Sequence, residues 1–248
     1  MEKEKPKYLY KYRPINIHTL NLIISNEAYY SSPDDLNDPF DCNIIPQIDY
    51  TNLIKFAEAR RNEGSITQEE HDNLLGNPEA IMEHGFQETM DNIRNNLKIF
   101  CLSEINNNVM MYSHYADSHR GICLEFSVSN DSFYDCLDYV RYTKNVPVFH
   151  GFNDDIKLIR NELKEIEVLT KSCSWSYEKE WRIIIDNSSH VQKFSSNILT
   201  SIIFGYKTSD YDKLVIENII KKRSPSIQLQ KVIKKGKSFE LEIEPYKS

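Results

Sequence analysis

From Tyr8 to Tyr12 apolar and polar positions alternate (YLYKY), which predicts a strand stopped by Pro14, while HTLNLIISN (18–26) spaces its apolar residues as a helix does. AYYSS (28–32) reads as a short strand, and PDDLNDPFD (33–41) as a turn-rich stretch. Residues 50–96 have helical spacing in three pieces: LIKFAEARR, ITQEEHDNLL after a break at Asn62 to Ser65, and a longer helix after Pro78. KIFCLS (98–103) and GICLEFSV (121–128) are apolar enough for buried strands, and they bracket a helix over 107–117. Further on, the pattern predicts a strand at 138–142, a charged amphipathic helix at 154–171 and a helix at 209–222. An apolar run (SIIFGY, 201–206) precedes that last helix, and strands at 226–233 and 238–245 follow it. Helices and strands mix without a regular βαβ rhythm. The expectation is one α+β domain over 1–248 with a largely antiparallel or mixed sheet and a helical insertion at about 50–96.

The stretch SWSYEKEWRIII (174–185) is the most pointed piece of patterning. In an extended segment Glu178, Glu180 and Arg182 share one face, and Trp181, Ile183 and Ile185 the other. Two readings follow. The acids and Arg182 form a solvent-facing, salt-bridged strand surface, or the carboxylate pair faces a site while the apolar side anchors it.

Composition narrows the field. With 40% apolar and 11% aromatic residues, the 248-residue chain is ordinary globular material, and it contains no leader-like or membrane-spanning run. A soluble, cytoplasmic protein with no membrane partner is expected. Five scattered cysteines without CxxC spacing argue against a disulfide framework or a structural zinc site. A net charge of −7 argues against coating nucleic acid, although 221–237 holds seven Lys or Arg and no acid, which reads as a solvated basic hairpin. Seven glycines and no GxGxxG or GxxxxGK[ST] make glycine-cradled nucleotide binding a poor fit, so any nucleotide would be held by side chains.

Other constellations are less specific. The acids around Pro33 and Pro39 lack the spacing of a calcium loop and suit turns. In SHYADSH (113–119), His114 and His119 do not share a helix face as the histidines of HExxH do, which leaves His114 as a hydrogen-bonding pocket residue or a surface histidine. Ser103 has no GxSxG elbow. Arg13 ends the first strand, where an arginine is either solvated or grips a phosphate or carboxylate.

Taken in order, LYKYR, YYSSPDDLNDPFD, FCLSE, SHYADSHRGICLEF and WSYEKEWRI resemble a bacterial family of unknown function, from Tyr8 to about Ile185. More distantly, an Arg on the first strand, a Ser on a later strand and an ExE pair entering another are similar to the arginine, serine, glutamate class of ADP-ribosyltransferases. That resemblance implies a split, mostly antiparallel β core flanked by helices, and NAD as the substrate. It implies that Glu180 stabilises the oxocarbenium ion through the ribose hydroxyl and that Glu178 activates the acceptor. Ser103 would orient Glu180, Arg13 would hold pyrophosphate or ribose, and His114, Tyr115, Trp175 and Tyr177 would line the cofactor and acceptor side. The chain departs from the family's Ser-Thr-Ser in having Leu102-Ser103-Glu104. By the same analogy the acceptor is a protein or nucleic acid, the setting a bacterial toxin or phage-defence effector, and the partner an antitoxin or defence-system component. Two rivals stand beside this expectation: a metal-dependent hydrolase or nuclease using Asp38, Asp41, His114 and Glu180, and a non-catalytic binding module.

Overall fold

The structure is a computed structural model that describes residues 3–128, 132–150, 163, 165–186, 189–223 and 227–247. Strand β1 (Tyr8–Arg13) leads through helix α1 (Ile17–Ser25) to β2 (Glu27–Tyr29) and β3 (Ile45–Gln47). Helices α2 (Tyr50–Asn62), α3 (Gln68–Gly76) and α4 (Pro78–Asn96) follow, each where the sequence pattern places it. Asp49 and Thr67 cap the first two with their side chains, and Pro78 opens the third. Then come β4 (Leu97–Ser103), α5 (Val109–Tyr115), β5 (Ile122–Ser127), β6 (Leu137–Tyr139), β7 (Arg141–Thr143), β8 (Val148–His150) and β9 (Thr170–Ser172). The chain continues with β10 (Glu180–Asp186), β11 (Val191–Lys193), β12 (Leu199–Phe204), α6 (Asp210–Arg223), β13 (Gln228–Lys234) and β14 (Leu241–Pro245).

Eight strands form one sheet in the order β14-β13-β12-β5-β1-β4-β10-β6, antiparallel except for β12 against β13. A parallel pair needs a crossover, which α6 supplies. The fold is α+β with a mixed, mostly antiparallel central sheet, as the sequence pattern predicts. The expected strand at 138–142 is divided at Val140 into β6 and β7, and the pattern misses the short strands β3, β8, β9 and β11, whose three residues each are too few to show a period. The expected helix at 154–171 lies mostly outside the described residues. Residues 165–168 are helical, but Thr170 and Lys171 belong to β9, drawn there by parallel pairing with β7.

Registers fix the two faces of the sheet. Tyr10 lies opposite Glu125 and Ser103, and Ser103 opposite Glu180. A period of two then puts Tyr10, Tyr12, Cys101, Ser103, Glu180 and Arg182 on one face, and Leu9, Phe100, Leu102, Trp181 and Ile183 on the other. The second face is closed by α1 and α6, whose Leu22, Ile23, Ile216 and Ile220 join those residues in one apolar core. The first face carries two separate clusters instead. Tyr10, Tyr12, Cys123 and Ile203 pack with Met111 and Tyr112 of α5, while Ile99 and Ile184 pack with Met90 and Ile93 of α4. The polar residues of β4 and β10 lie on the strip of sheet between the two clusters.

The two edges of β1 differ. Along β5, every residue from Tyr8 to Arg13 has a partner; along β4, only Tyr10↔Ser103 pairs. Further up β4, Ser31 takes the edge, and Ile99 and Ser31 exchange backbone hydrogen bonds of 2.8 and 2.9 Å. Between those two attachments the Lys11 ammonium donates to the Cys101 carbonyl at 2.7 Å. Gly121, just before β5, allows the chain to close on β1, because a Cβ there would lie 2.2 Å from the Arg13 carbonyl oxygen.

Candidate functional site at the opened seam

A cavity of about 250 Å³ opens where β1 and β4 part. Its wall includes Tyr10, Lys11, Cys101 and Ser103 from the two strands, Asn37 and Asp41 from the PDDLNDPFD stretch, and Tyr115, Lys171, Glu178 and Glu180. The reading of Glu178, Glu180 and Arg182 as a solvent-facing strand surface is overturned: they are 3%, 4% and 0% exposed. β10 is instead buried on both faces, because Trp181 and Ile183 enter the core while the acids and Arg182 face buried counter-ions.

The two glutamates do not reach the site by simple alternation. Residues 173–178 form a 3₁₀ turn, Lys179 is left-handed (φ 43°), and only at Glu180 does the strand begin. Lys171 gathers them. Its ammonium lies 2.6 Å from Glu178 Oε2, 3.0 Å from Glu180 Oε2 and 3.5 Å from Asp41 Oδ2. Arg182 forms the other hub, giving Nε to Glu180 Oε1 at 2.8 Å and Nη2 to Glu180 Oε2 at 3.1 Å. On its far side Nη1 and Nη2 grip Asp41 Oδ1 and Oδ2 at 3.0 and 2.6 Å, and Nη1 also donates to the Val168 carbonyl. A bidentate guanidinium of this kind is worth keeping only when its own charge is matched, and here two carboxylates match it.

The electrostatics divide the pair. Burial works to raise both carboxyls. At Glu180, Arg182 and Lys171 outweigh burial and hold the group well below the usual carboxylate range. At Glu178, burial prevails over Lys171, and the neighbouring Glu180 charge adds to it, so the group sits above that range. Burial also opposes the Lys171 charge, but the three acids around it hold its proton more tightly than in water. One carboxylate is thus held as the anion, while its neighbour has its proton affinity raised.

The residues expected from sequence fall into three groups. Ser103, Glu178, Glu180 and Tyr115 meet at the cavity. The Tyr115 hydroxyl donates to Glu178 Oε1 at 2.6 Å, and the Ser103 hydroxyl donates to the Glu178 carbonyl at 2.5 Å, so Ser103 acts on the pair through the backbone. His114, Trp175 and Tyr177 form an aromatic cluster beside Tyr115, with ring centroids 6.0–6.4 Å apart, and the Lys171 ammonium lies 5.2 Å from the Trp175 ring. Arg13 is not among the residues of the cavity wall; it is half-buried two residues along the strand from Lys11, and its Nε is buried without a partner. Glu104 turns to the other side of the sheet and accepts from Trp181 Nε1 at 2.6 Å.

Asp41 and Glu180 of the metal-dependent rival do approach each other, but across Arg182 and Lys171. Among the described residues no group of three or more His, Cys, Asp or Glu is placed to hold a metal ion. Among those residues, too, no helix is long and apolar enough to cross a membrane. The basic 221–237 segment is partly neutralised, with Lys221, Lys231 and Lys235 paired to Glu217, Glu244 and Glu240. Lys171 and Lys11 are the functional candidates that sequence reasoning missed. Lys171 sat inside a presumed charged helix, and Lys11 was one polar position in an alternating strand.

An α+β fold with a buried carboxylate and lysine cluster where β1 and β4 part is the class of site that fold and geometry define. Residues 111–183, from α5 to the middle of β10, match the family described as protein of unknown function DUF2971. The match contains Tyr115, Lys171, Glu178, Glu180 and Arg182, whereas Arg13, Asp41 and Ser103 lie outside it. No curated protein and no solved structure matches the chain.

Proposed function

We propose that the protein is an ADP-ribosyltransferase-like enzyme that consumes NAD at the cavity between β1 and β4. The observation that carries the reading is that Ser103, Glu178 and Glu180, from two strands and a turn, converge on one cavity, with Glu180 directly across the ladder from Ser103. Cleaving the glycosidic bond to nicotinamide develops positive charge on the ribose. A carboxylate kept ionised in a water-poor site favours that transition state over the ground state. Glu180 supplies this charge. Glu178, with its raised proton affinity, suits the proton transfer of an incoming acceptor. A cavity of about 250 Å³ is smaller than the roughly 300–1,000 Å³ of pockets that enclose a whole ligand. It therefore suits the nicotinamide riboside end, with the half-exposed Trp175 and Tyr177 at its edge available for stacking. A macromolecular acceptor and a toxin or phage-defence setting follow from the same analogy.

The test is release of nicotinamide from labelled NAD by the wild type, Glu180→Gln and Glu178→Gln, with melting curves to confirm folding. Loss of the fixed charge is expected to lower turnover by about 10²–10³. Absence of turnover by folded wild type, or turnover indifferent to Glu180→Gln, sinks the assignment and leaves the binding-module reading.

A further inference from the structure

The cavity holds a second lysine whose surroundings are unlike those of Lys171. Lys11 enters from β1, sets its ammonium against the Phe100 ring (4.7 Å to the centroid) and donates to the Cys101 carbonyl at 2.7 Å. Lys171, in the same cavity, is enclosed by three carboxylates, whereas none of the ion pairs among the described residues includes Lys11. A lysine whose hydrogen-bond partner is a neutral carbonyl, beside an open space, holds its proton less firmly than one enclosed by three carboxylates.

We propose that Lys11 is a reactive amine that captures a small, uncharged aldehyde or ketone, such as the open-chain form of a sugar, as an imine. The amine nitrogen adds to the carbonyl carbon, and the carbonyl oxygen takes up a proton to give a carbinolamine. Loss of that oxygen as water leaves the C=N bond. Both proton movements need a proton donor and acceptor close by, and Glu178 lines the same cavity. Charge selects the ligand. Asp35, Asp41, Glu178 and Glu180 of the wall outnumber its two cations, Lys11 and Lys171, so an anionic carbonyl compound gains no net attraction there. The inference rests on Lys11 and the cavity and stands apart from the NAD reading.

Burial lowers Lys11 to about 8. Cys101 and the Glu180 and Glu178 carboxylates act against that shift, and Arg13 on its own strand acts with it; Asp41 and Lys171 line the same space. Against the ordinary lysine value of 10.5, the neutral fraction at pH 7 is larger by about two orders of magnitude.

The experiment treats the full-length protein with glyceraldehyde and cyanoborohydride, which reduces any imine to a stable secondary amine, and maps labelled lysines by mass spectrometry from pH 6 to 10. Lys11 is expected to label ahead of the exposed Lys221 and Lys237 at pH 7, with a half-maximal rate near pH 8. Lys11→Arg is expected to remove the fast-labelling fraction and leave the slow one. Labelling of Lys11 no faster than that of Lys221 and Lys237 at pH 7, or no labelling of it at all, overturns the proposal. Because the primary readout is made on the wild type, a variant that fails to fold does not blunt it.

Discussion

The two edges of β1 are a controlled comparison within one strand. Against β5 the ladder is continuous for six residues, with Phe126, Leu124, Cys123 and Ile122 among the partners, and the seam is closed by Gly121 under the Arg13 carbonyl. Against β4 a single pair survives, and side chains do the work of backbone: Lys11 meets the Cys101 carbonyl, and the Tyr12 hydroxyl meets the Ile105 carbonyl at 2.6 Å. Buried backbone groups must be paired by something. Where strands part, polar side chains are recruited, and a space lined with titratable groups comes with them. The same strand therefore builds core on one edge and chemistry on the other.

Three changes would break or sharpen that contrast. The largest effect is expected from Arg182→Met, which leaves Asp41 and Glu180 buried without their guanidinium. The loss should be about 3–5 kcal/mol in chemical denaturation, far above that of an exposed charge. A loss below about 1 kcal/mol would mean that water reaches these acids and that the seam is not sealed. Ser103→Ala removes the hydroxyl that joins the Glu178 carbonyl to the Ile105 amide. It should cost about 1–3 kcal/mol and, on the NAD reading, reduce turnover more than Leu102→Val on the opposite face. Equal effects of the two would assign Ser103 to packing alone.

The third effect concerns pH. Lys11 has a folded pKa below its unfolded value, so between about pH 8 and 10.5 the unfolded chain binds more protons than the folded one. Stability from this group should therefore rise with pH across that window, and Lys11→Met should flatten the rise. Denaturation midpoints at pH 8 and pH 10 compare the two, and identical slopes would place Lys11 in open solvent.

Much of the frame was legible in the sequence because long periodic segments declare themselves. The helices of 50–96, the apolar β4 and β5, and the Trp181 and Ile183 side of β10 all follow from spacing. The ion-pair core did not, for a physical reason. Asp41 sits in a stretch whose acids suit turns equally well, and Lys171 follows a charged helical pattern that gives no warning of a parallel strand. Arg182 lies 141 residues from Asp41, and Lys171 has Glu178 and Glu180 7–9 residues away but Asp41 in a distant stretch of the chain. Local patterning describes which way a side chain points from its own backbone, but whether a charge is buried depends on what the rest of the chain brings to it. The proximity of Glu178 and Glu180 was anticipated from alternation, yet it is produced by a 3₁₀ turn, a left-handed Lys179 and a shared lysine.

The central place of β1 also has a consequence in time. Its ladder partners begin at Leu97 and end at Ser127, so at a synthesis rate of about 5–20 residues per second the strand waits roughly 5–25 s before both neighbours exist. Until then Leu9 and the tyrosines of YLYKYR have no sheet to join, and closing that distance is a slow, long-range event. Removal of residues 8–13 would accordingly not trim an edge; it would take out the strand on which the two halves of the sheet meet.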